Sequence, residues 1–294
     1  MKRPLSSEKI ESDLNHEMNE VDKAHKYKQC SEFDPMFEYN QCSESDCSDQ
    51  ETIEPSHWNC LYRYNDENGV YSEYLLSFKT LESFLDKYLD SPDAKVLVPG
   101  CGDSPFSADM QKAFELNDVT NCDVSAAAID LMQKKYKLIP ELKWVIDDLQ
   151  DSEFEDDEFD IVVDKSLIDC LFWVPIKEGY PDVLVAGVLE NYHRILKDGG
   201  TCIILSTRDT ISLRPFYDDS QKHPTGTLFA DHRESGLTFP PCKWDCVKVY
   251  HIGVSIEENM CVSQAAIPTD VTSLDPGTDP EGMKRFYMFI LKKS

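Results

Sequence analysis

Positive charge is scarce in this chain: 29 Lys and Arg face 55 Asp and Glu in 294 residues, a formal net charge of −26 at pH 7. So acidic a protein is poorly suited to gripping phosphate backbones, which removes nucleic acid from the expected partners. Long apolar runs are missing as well. No stretch approaches the roughly 18–20 apolar residues of a membrane span, and the opening MKRPLSSEKIESD lacks the apolar segment of a signal peptide. No membrane is expected as a partner. Histidine is sparse, with seven in all, and those at 193, 223, 232 and 251 have no serine or cysteine nucleophile context. The eleven cysteines are odd in number and scattered, and Cys122, Cys170 and Cys202 lie inside apolar runs. That pattern predicts reduced thiols in a cytoplasmic or nuclear protein rather than a disulfide framework. Neither Cys42 with Cys47 nor Cys242 and Cys246 with His251 completes a zinc ligand set, so no metal is expected.

What is present suffices for a large core: 41% apolar and 11% aromatic residues. Residues 1–55 differ from the rest, being rich in Glu, Asp, Ser, Asn and Lys without a sustained apolar period. They read as an acidic disordered tail, with a short helix around Glu17–Lys28 as the one element their pattern allows. Residues 56–294 read as one folded domain. Ser72–Leu89 places Leu75, Phe78, Leu81, Phe84, Leu85 and Tyr88 on one helix face. Apolar runs at Lys95–Gly100, Val119–Val124, Leu142–Asp148, Phe159–Lys165 and Thr201–Thr207 read as buried strands. Helices at Ser104–Leu116, Ala126–Tyr136 and Val183–Leu196 separate most of them, and Trp244–Gly253 and Arg285–Lys293 add two more strands. This alternation predicts an α/β, doubly wound, mostly parallel seven-stranded sheet of Rossmann-like type, ending in an antiparallel pair. Long turn-rich insertions interrupt it near 209–241, read as a substrate-side element, and near 257–282.

The chemistry concentrates at strand ends. Val98-Pro99-Gly100-Cys101-Gly102-Asp103-Ser104 closes the first strand of the sheet, where Gly100 and Gly102 let backbone approach a ligand closely. The next strand ends at Asp123, placed to accept hydrogen bonds from ribose hydroxyls. A pyrophosphate-binding dinucleotide site would want a third glycine. Here Pro105 and Phe106 stand instead, which suits a cofactor without pyrophosphate, S-adenosylmethionine above all. The third strand ends in Asp147-Asp148, a place for the adenine amino group, within an otherwise solvated run of nine acids from Asp147 to Asp160. The fourth ends in Asp164-Lys165-Ser166-Leu167-Ile168-Asp169.

These residues together resemble the class I, seven-strand methyltransferases that use S-adenosylmethionine. More narrowly they are similar to the elongation factor 1-alpha lysine methyltransferases and the methyltransferase related to the amino-terminal region of endothelin-converting enzyme 2. The resemblance runs from about Trp58 to Phe172 and fades through Thr207. It implies that Gly100 and Gly102 lie at the cofactor's amino-acid end, that Asp123 and Val124 flank the ribose, and that Asp148 and Leu149 flank the adenine. It also implies that Lys165 stands at the cofactor site. The family's Trp-Asp-x-x-Tyr opening matches Trp58-Asn59-Cys60-Leu61-Tyr62, making Trp58 and Tyr62 cofactor contacts, and Tyr74 stands where the family often has Trp. The family run Lys-Gly-Thr-Leu-Asp reads Lys165-Ser166-Leu167-Ile168-Asp169, so Gly and Thr are replaced. No Asn-Pro-Pro-Tyr signature is present. The expected activity is methyl transfer to a lysine of a basic protein, a translation factor fitting the resemblance, with Asp164 and Asp169 as candidates to orient or deprotonate the amine. A small-molecule N- or O-methyltransferase and a catalytically silent module of the same fold stay open at this point.

Overall fold

Val96, Leu97 and Val98 show how this sequence builds its sheet. They lie in β3 (Lys95–Pro99), all essentially buried, with Val96 and Val98 in one apolar layer and Leu97 in the other. A strand whose two faces both need cover belongs at the centre of an α/β sandwich. The same alternation recurs in β6 (Phe159–Lys165), with Ile161 and Val163 on one side and Val162 on the other.

In the computed structural model, the described residues are 26–29, 55–173, 181–208, 213, 244–255, 268–269 and 283–294. Among them β3 pairs in parallel with β4 (Asp118–Asp123) and β6, β4 with β5 (Leu142–Ile146), and β6 with β7 (Leu196–Ser206). The strand β10 (Met283–Lys293) lies antiparallel between β7 and β8 (Trp244–Ser255), and the two-residue β9 (Pro268–Thr269) extends the edge. The order is β5-β4-β3-β6-β7-β10-β8-β9. Apart from the short β9, this is the expected seven-stranded doubly wound sheet with its antiparallel end.

Among the described residues six helices flank it: α1 (Pro55–Asn68), α2 (Phe78–Leu85), α3 (Phe106–Phe114), α4 (Ala126–Lys135), α5 (Leu167–Trp173) and α6 (Pro181–Ile195). Leu81, Leu85, Met110 and Met132 from α2, α3 and α4 pack with Val96 and Val98 in one layer. Val185, Leu189 and Tyr192 of α6 pack with Leu97 and Val162 in the other. From β3 the chain winds outward to β4 and β5, then returns to β6 on the opposite side of β3. That reversal opens a crevice at the carboxyl ends of β3 and β6.

Two local expectations change. The run Ser72–Leu89 is not one helix. Val70–Glu73 forms β2, Leu75 takes φ 62°, and the helix starts only at Phe78. A left-handed leucine cannot continue a right-handed helix, so the apolar period restarts after it. Within the segment read as a disordered tail, Lys26–Gln29 forms strand β1, parallel to β2, with Gln29 opposite Glu73. Backbone pairing to an existing strand needs no apolar period, which is why composition did not reveal it; the strand also replaces the end of the helix expected over Glu17–Lys28. The insertion near 209–241 lies outside the described residues except for the buried Leu213. Of the one near 257–282, the described residues include only β9.

Candidate functional site

The crevice is a cleft of about 200 Å³, and its wall follows the strand ends. Asp147, Asp148 and Leu149 follow β5, Asp123 and Val124 end β4, Gly100 to Ser104 follow β3, and Lys165 ends β6. Trp58 and Tyr62 of α1, and Tyr74 after β2, complete it. All ten residues read from the sequence as cofactor contacts therefore come together on one wall.

The glycine turn is shaped by its neighbours. Gly100 and Gly102 hold φ 57° and 53°, a region that side-chain-bearing residues avoid. A Cβ on Gly102 would stand 2.7 Å from the Tyr62 hydroxyl, and one on Gly100 would stand 3.0 Å from Leu167. The turn is tied to β4, because Gly102 N–H donates to Asp123 Oδ2 at 2.9 Å and Ser125 N–H donates to Oδ1 at 2.8 Å. Each carboxylate oxygen keeps a second lone pair. Burial raises the Asp123 carboxyl above its ordinary value, while the two backbone donors pull it down. Burial also pushes the Tyr62 phenol well up, so it stays a neutral hydroxyl against the turn.

Over this turn lies α1. Trp58 and Tyr62 stack at 6.3 Å between ring centroids. Asn59 Oδ1 accepts from the Ser125 hydroxyl at 2.8 Å and from Ala127 N–H at 3.0 Å, anchoring α1 to the start of α4. Asn65 Nδ2 donates to Asp103 Oδ2 at 2.8 Å.

Several site residues were not picked out from the sequence. Lys165 Nζ meets Glu73 Oε1 at 2.6 Å and donates to the Tyr74 carbonyl at 2.7 Å. Glu73 also accepts from the Ser104 hydroxyl at 3.0 Å. Nothing near Glu73 in sequence signals this partner 92 residues away. Asp147 is the inward member of its pair: it is buried while Asp148 is exposed at the rim. Its Oδ2 accepts from Glu153 N–H, whereas Oδ1 is buried and accepts no hydrogen bond from the described residues. Its acidity is weakened chiefly by burial. Strand alternation was the available signal, since of two successive residues one faces inward.

The two acids read as catalytic are not brought to the cleft. Asp164 is fully buried on the α6 side, where Oδ2 accepts from the Tyr192 hydroxyl at 3.0 Å and Oδ1 accepts from Leu167 N–H at 2.8 Å. Desolvation raises its pKa to about 7. Asp169, on α5, accepts from the Thr207 hydroxyl at 2.6 Å and from Thr207 N–H at 3.2 Å, fastening the helix to the end of β7. Both acids brace the backbone around Lys165, and neither lines the cleft.

Comparison with known proteins agrees with this geometry. Residues 97–204 match the family model described as a methyltransferase domain. The chain is 28% identical over 180 residues to the EEF1A lysine methyltransferase 4 of Mus musculus, covering 58% of this chain and 69% of that protein. It is 29% identical over 181 residues to the eEF1A lysine and N-terminal methyltransferase homolog of Drosophila melanogaster, covering 59% of this chain but 25% of that protein. The Drosophila pseudoobscura pseudoobscura homolog gives 29% over 164 residues, 53% of this chain and 23% of that protein. The chain thus spans only about a quarter of these two fly relatives. Strand order, glycine turn and strand-end carboxylates agree with that methyltransferase family model and with S-adenosylmethionine as the cofactor. Over the residues compared, the chain is similar to proteins named for methylating elongation factor 1-alpha.

The wall fits that cofactor. The open lone pairs of Asp123 suit two ribose hydroxyls, and the orphan Oδ1 of Asp147 offers an acceptor at the adenine end. Among the described residues no group of three or more His, Cys, Asp or Glu could hold a metal ion.

Proposed function

We propose that this protein transfers a methyl group from S-adenosylmethionine to the side-chain nitrogen of a lysine in a protein substrate. The observation that carries the transferase reading is the bracket between Asp123 and Gly102, which places a buried carboxylate beside a glycine turn at the sheet's reversal point. The lysine acceptor is supported by the relatives' names and by the excess of acids, which favours a basic docking surface. When bound, S-adenosylmethionine supplies an electrophilic methyl on sulfonium, which a neutral amine takes as the carbon–sulfur electron pair stays on sulfur and the amine's extra proton leaves to solvent.

The chain's own residues hold and enclose. Asp123 and Asp147 fix the nucleoside, the turn at Gly100 and Gly102 admits the amino-acid portion, and Trp58 and Tyr62 shield the cleft from water. Lys165 is held by Glu73 and Tyr74 at the end of β6, where the acceptor side begins. Among the described residues Cys101, Cys122, Cys170 and Cys202 are thiols outside any disulfide, and a reducing, cytoplasmic setting is part of this proposal. Among the described residues no helix is long and apolar enough to cross a membrane.

Incubating the purified protein with tritiated S-adenosylmethionine and purified elongation factor 1-alpha, and separately with cell lysate, tests the reading. Methyl label on a lysine, located by mass spectrometry, is the expected result. Label confined to small molecules would favour the metabolite methyltransferase instead, and no binding of S-adenosylmethionine would leave a silent module.

A further inference from the structure

The sheet ends at β5, and among the described residues no strand pairs with its outer edge. Val119 N–H donates to the Glu141 carbonyl, and Asp147 N–H to that of Asp123, so the odd-numbered residues turn their backbone groups toward β4. Leu142, Trp144 and Ile146 turn theirs outward. Leu142 N–H is taken up by the Ile139 carbonyl, and the amide of exposed Gln133 donates to the Trp144 carbonyl at 3.2 Å. Ile146 presents its own backbone groups at the edge.

Apolar surface gathers at the same place. Among the described residues, the exposed large apolar side chains are Tyr64, Leu138, Val145 and Ile146, and the last three belong to the approach to β5 or to β5 itself. Val145 is 37% exposed and Ile146 57%. Being successive in a strand, they point to opposite faces of the sheet. An occupant that covers both must therefore lie beside β5 in the plane of the sheet, as another strand does.

Charge selects the occupant. From Asp147 to Asp160 the chain carries nine acids and no base. Glu153 N–H closes back on Asp147 Oδ2 at 3.0 Å, which gathers the start of this run at the carboxyl end of β5. Arg194 and Lys293 engage Asp156 and Asp157. Asp151, Glu153 and Glu155 are exposed and form no ion pair among the described residues. A second copy of a chain with net charge −26 would set these acids against each other, so self-pairing is opposed, whereas a basic strand is attracted.

We propose that the β5 edge is a docking strip for the protein substrate. An extended segment alternating apolar and basic side chains adds beside β5, its apolar groups on Val145 and Ile146 and its cations near Asp151, Glu153 and Glu155. This deepens the protein-lysine reading above and rests on it. The acceptor side begins at β6, three strands away, so at about 4.8 Å per strand the target lysine lies roughly four or five extended residues beyond the docked segment.

The probe is a short fluorescein-labelled peptide alternating arginine with valine, which can dock but offers no lysine side chain to methylate; fluorescence anisotropy reads its binding. A twin with proline at the central valine keeps the charge and loses a backbone donor, and should bind at least roughly fivefold more weakly. Ile146→Lys should cause a similar loss with the affinity for S-adenosylmethionine unchanged, since Ile146 does not line the cleft. Gln133→Ala, which frees the Trp144 carbonyl, should tighten binding, a gain that charge attraction does not provide. Proline and parent peptides binding alike would leave the acids alone as the attraction, and an unaffected Ile146→Lys would remove the edge; both overturn the proposal. A wild-type dimer in sedimentation that Ile146→Lys converts to monomer would assign the edge to a second copy and overturn it too. With tritiated S-adenosylmethionine and cell lysate, unlabelled probe and Ile146→Lys should each lower transfer to protein, and undiminished transfer overturns the docking role. Wild type that labels no protein would instead overturn the protein-substrate reading, and peptide binding would still decide whether the edge accepts a strand.

Discussion

Asn59 of α1 accepts the Ser125 hydroxyl at 2.8 Å, so the helix that covers the cleft is fastened to the first turn of α4 as well as, through Asn65 and Asp103, to the cleft wall. Ser125 in turn lies beside Asp123, since its N–H donates to that carboxylate. Cover and ribose acceptor are thereby one assembly.

The first prediction follows from that fastening. Asn59→Ala removes two hydrogen bonds, each worth about 0.5–1.5 kcal/mol. Affinity for S-adenosylmethionine should fall roughly fivefold to a hundredfold, while the melting temperature changes little because α1 buries only part of its surface. Asn59→Asp should restore binding, since a carboxylate is favoured at the amino end of α4. Calorimetry on both variants checks it; an unchanged alanine variant would mean that α1 is held by other contacts.

Asp123 must be ionised to accept two ribose hydroxyls well. Burial has raised its carboxyl, so it protonates at a higher pH than an ordinary aspartate. Cofactor affinity should therefore weaken as pH falls toward the acidic range, and Asp123→Ala should lose at least tenfold at neutral pH, two charge-assisted bonds at about 1.5–3 kcal/mol each being removed. In the alanine variant that acid-side decline should flatten. A decline of equal steepness would place the titrating group elsewhere.

Much of this was legible before the fold was. Strands at Lys95, Val119, Phe159 and Thr201 declare themselves because buried parallel strands are continuously apolar, and the glycines and Asp123 fall at their ends by chain geometry alone. What failed was direction. Asp164 and Asp169 flank Lys165 closely in sequence, yet Asp164 points to Tyr192 and Asp169 to Thr207, because residues next to a strand end can turn to either face of the sheet. Glu73 was hidden for a different reason: its partner is set by tertiary pairing, and the helical period read through it was broken by Leu75. Substitution of the family glycine by Ser166 was visible, and its cost is now specific, for Ser166 sits at φ 84°.

Asp164 gives a prediction in stability rather than binding. Its pKa of about 7 lies above that of an aspartate in the unfolded chain, so the native state takes up a proton as pH falls. The stability linked to that proton is complete below the unfolded value near 3.8 and is lost as pH rises through about 7. Asp164→Asn keeps an acceptor for Leu167 N–H and removes the buried charge. It should melt higher than wild type at pH 8 and lose more than half of that advantage by pH 5, at about 2–4 °C for each kcal/mol. A gap that is constant with pH would show that Asp164 stays ionised inside.

Ser166 offers a sharper local test. A non-glycine residue held in the left-handed region costs about 1–2 kcal/mol, part of which a glycine would return to the unfolded chain as entropy. Ser166→Gly should therefore match or exceed wild type in melting temperature, whereas Ser166→Val should fall by several degrees, since a β-branched side chain tolerates that region least. Equal melting of all three variants would contradict the strained backbone.

The last prediction concerns the strand contributed by the acidic segment. Lys26–Gln29 pairs with Val70–Glu73, and the last residue of that partner strand holds Lys165 at 2.6 Å and Ser104 at 3.0 Å. Deleting residues 1–50 removes β1 and leaves α1 intact. The exposed β2 backbone would then lose a few hydrogen bonds worth about 0.5–1.5 kcal/mol each, replaced only by water. Glu73 would be less firmly placed, and with it the ammonium of Lys165 on the cleft wall. The truncated protein should fold, melt a few degrees lower and bind S-adenosylmethionine several-fold more weakly. Tyr27→Pro in the full chain should reproduce both effects, because proline removes the strand's donor at the centre of the pairing. Truncated protein with wild-type melting and affinity would show that β2 holds its place without β1, and that Glu73 owes its position to Lys165 and Ser104 alone.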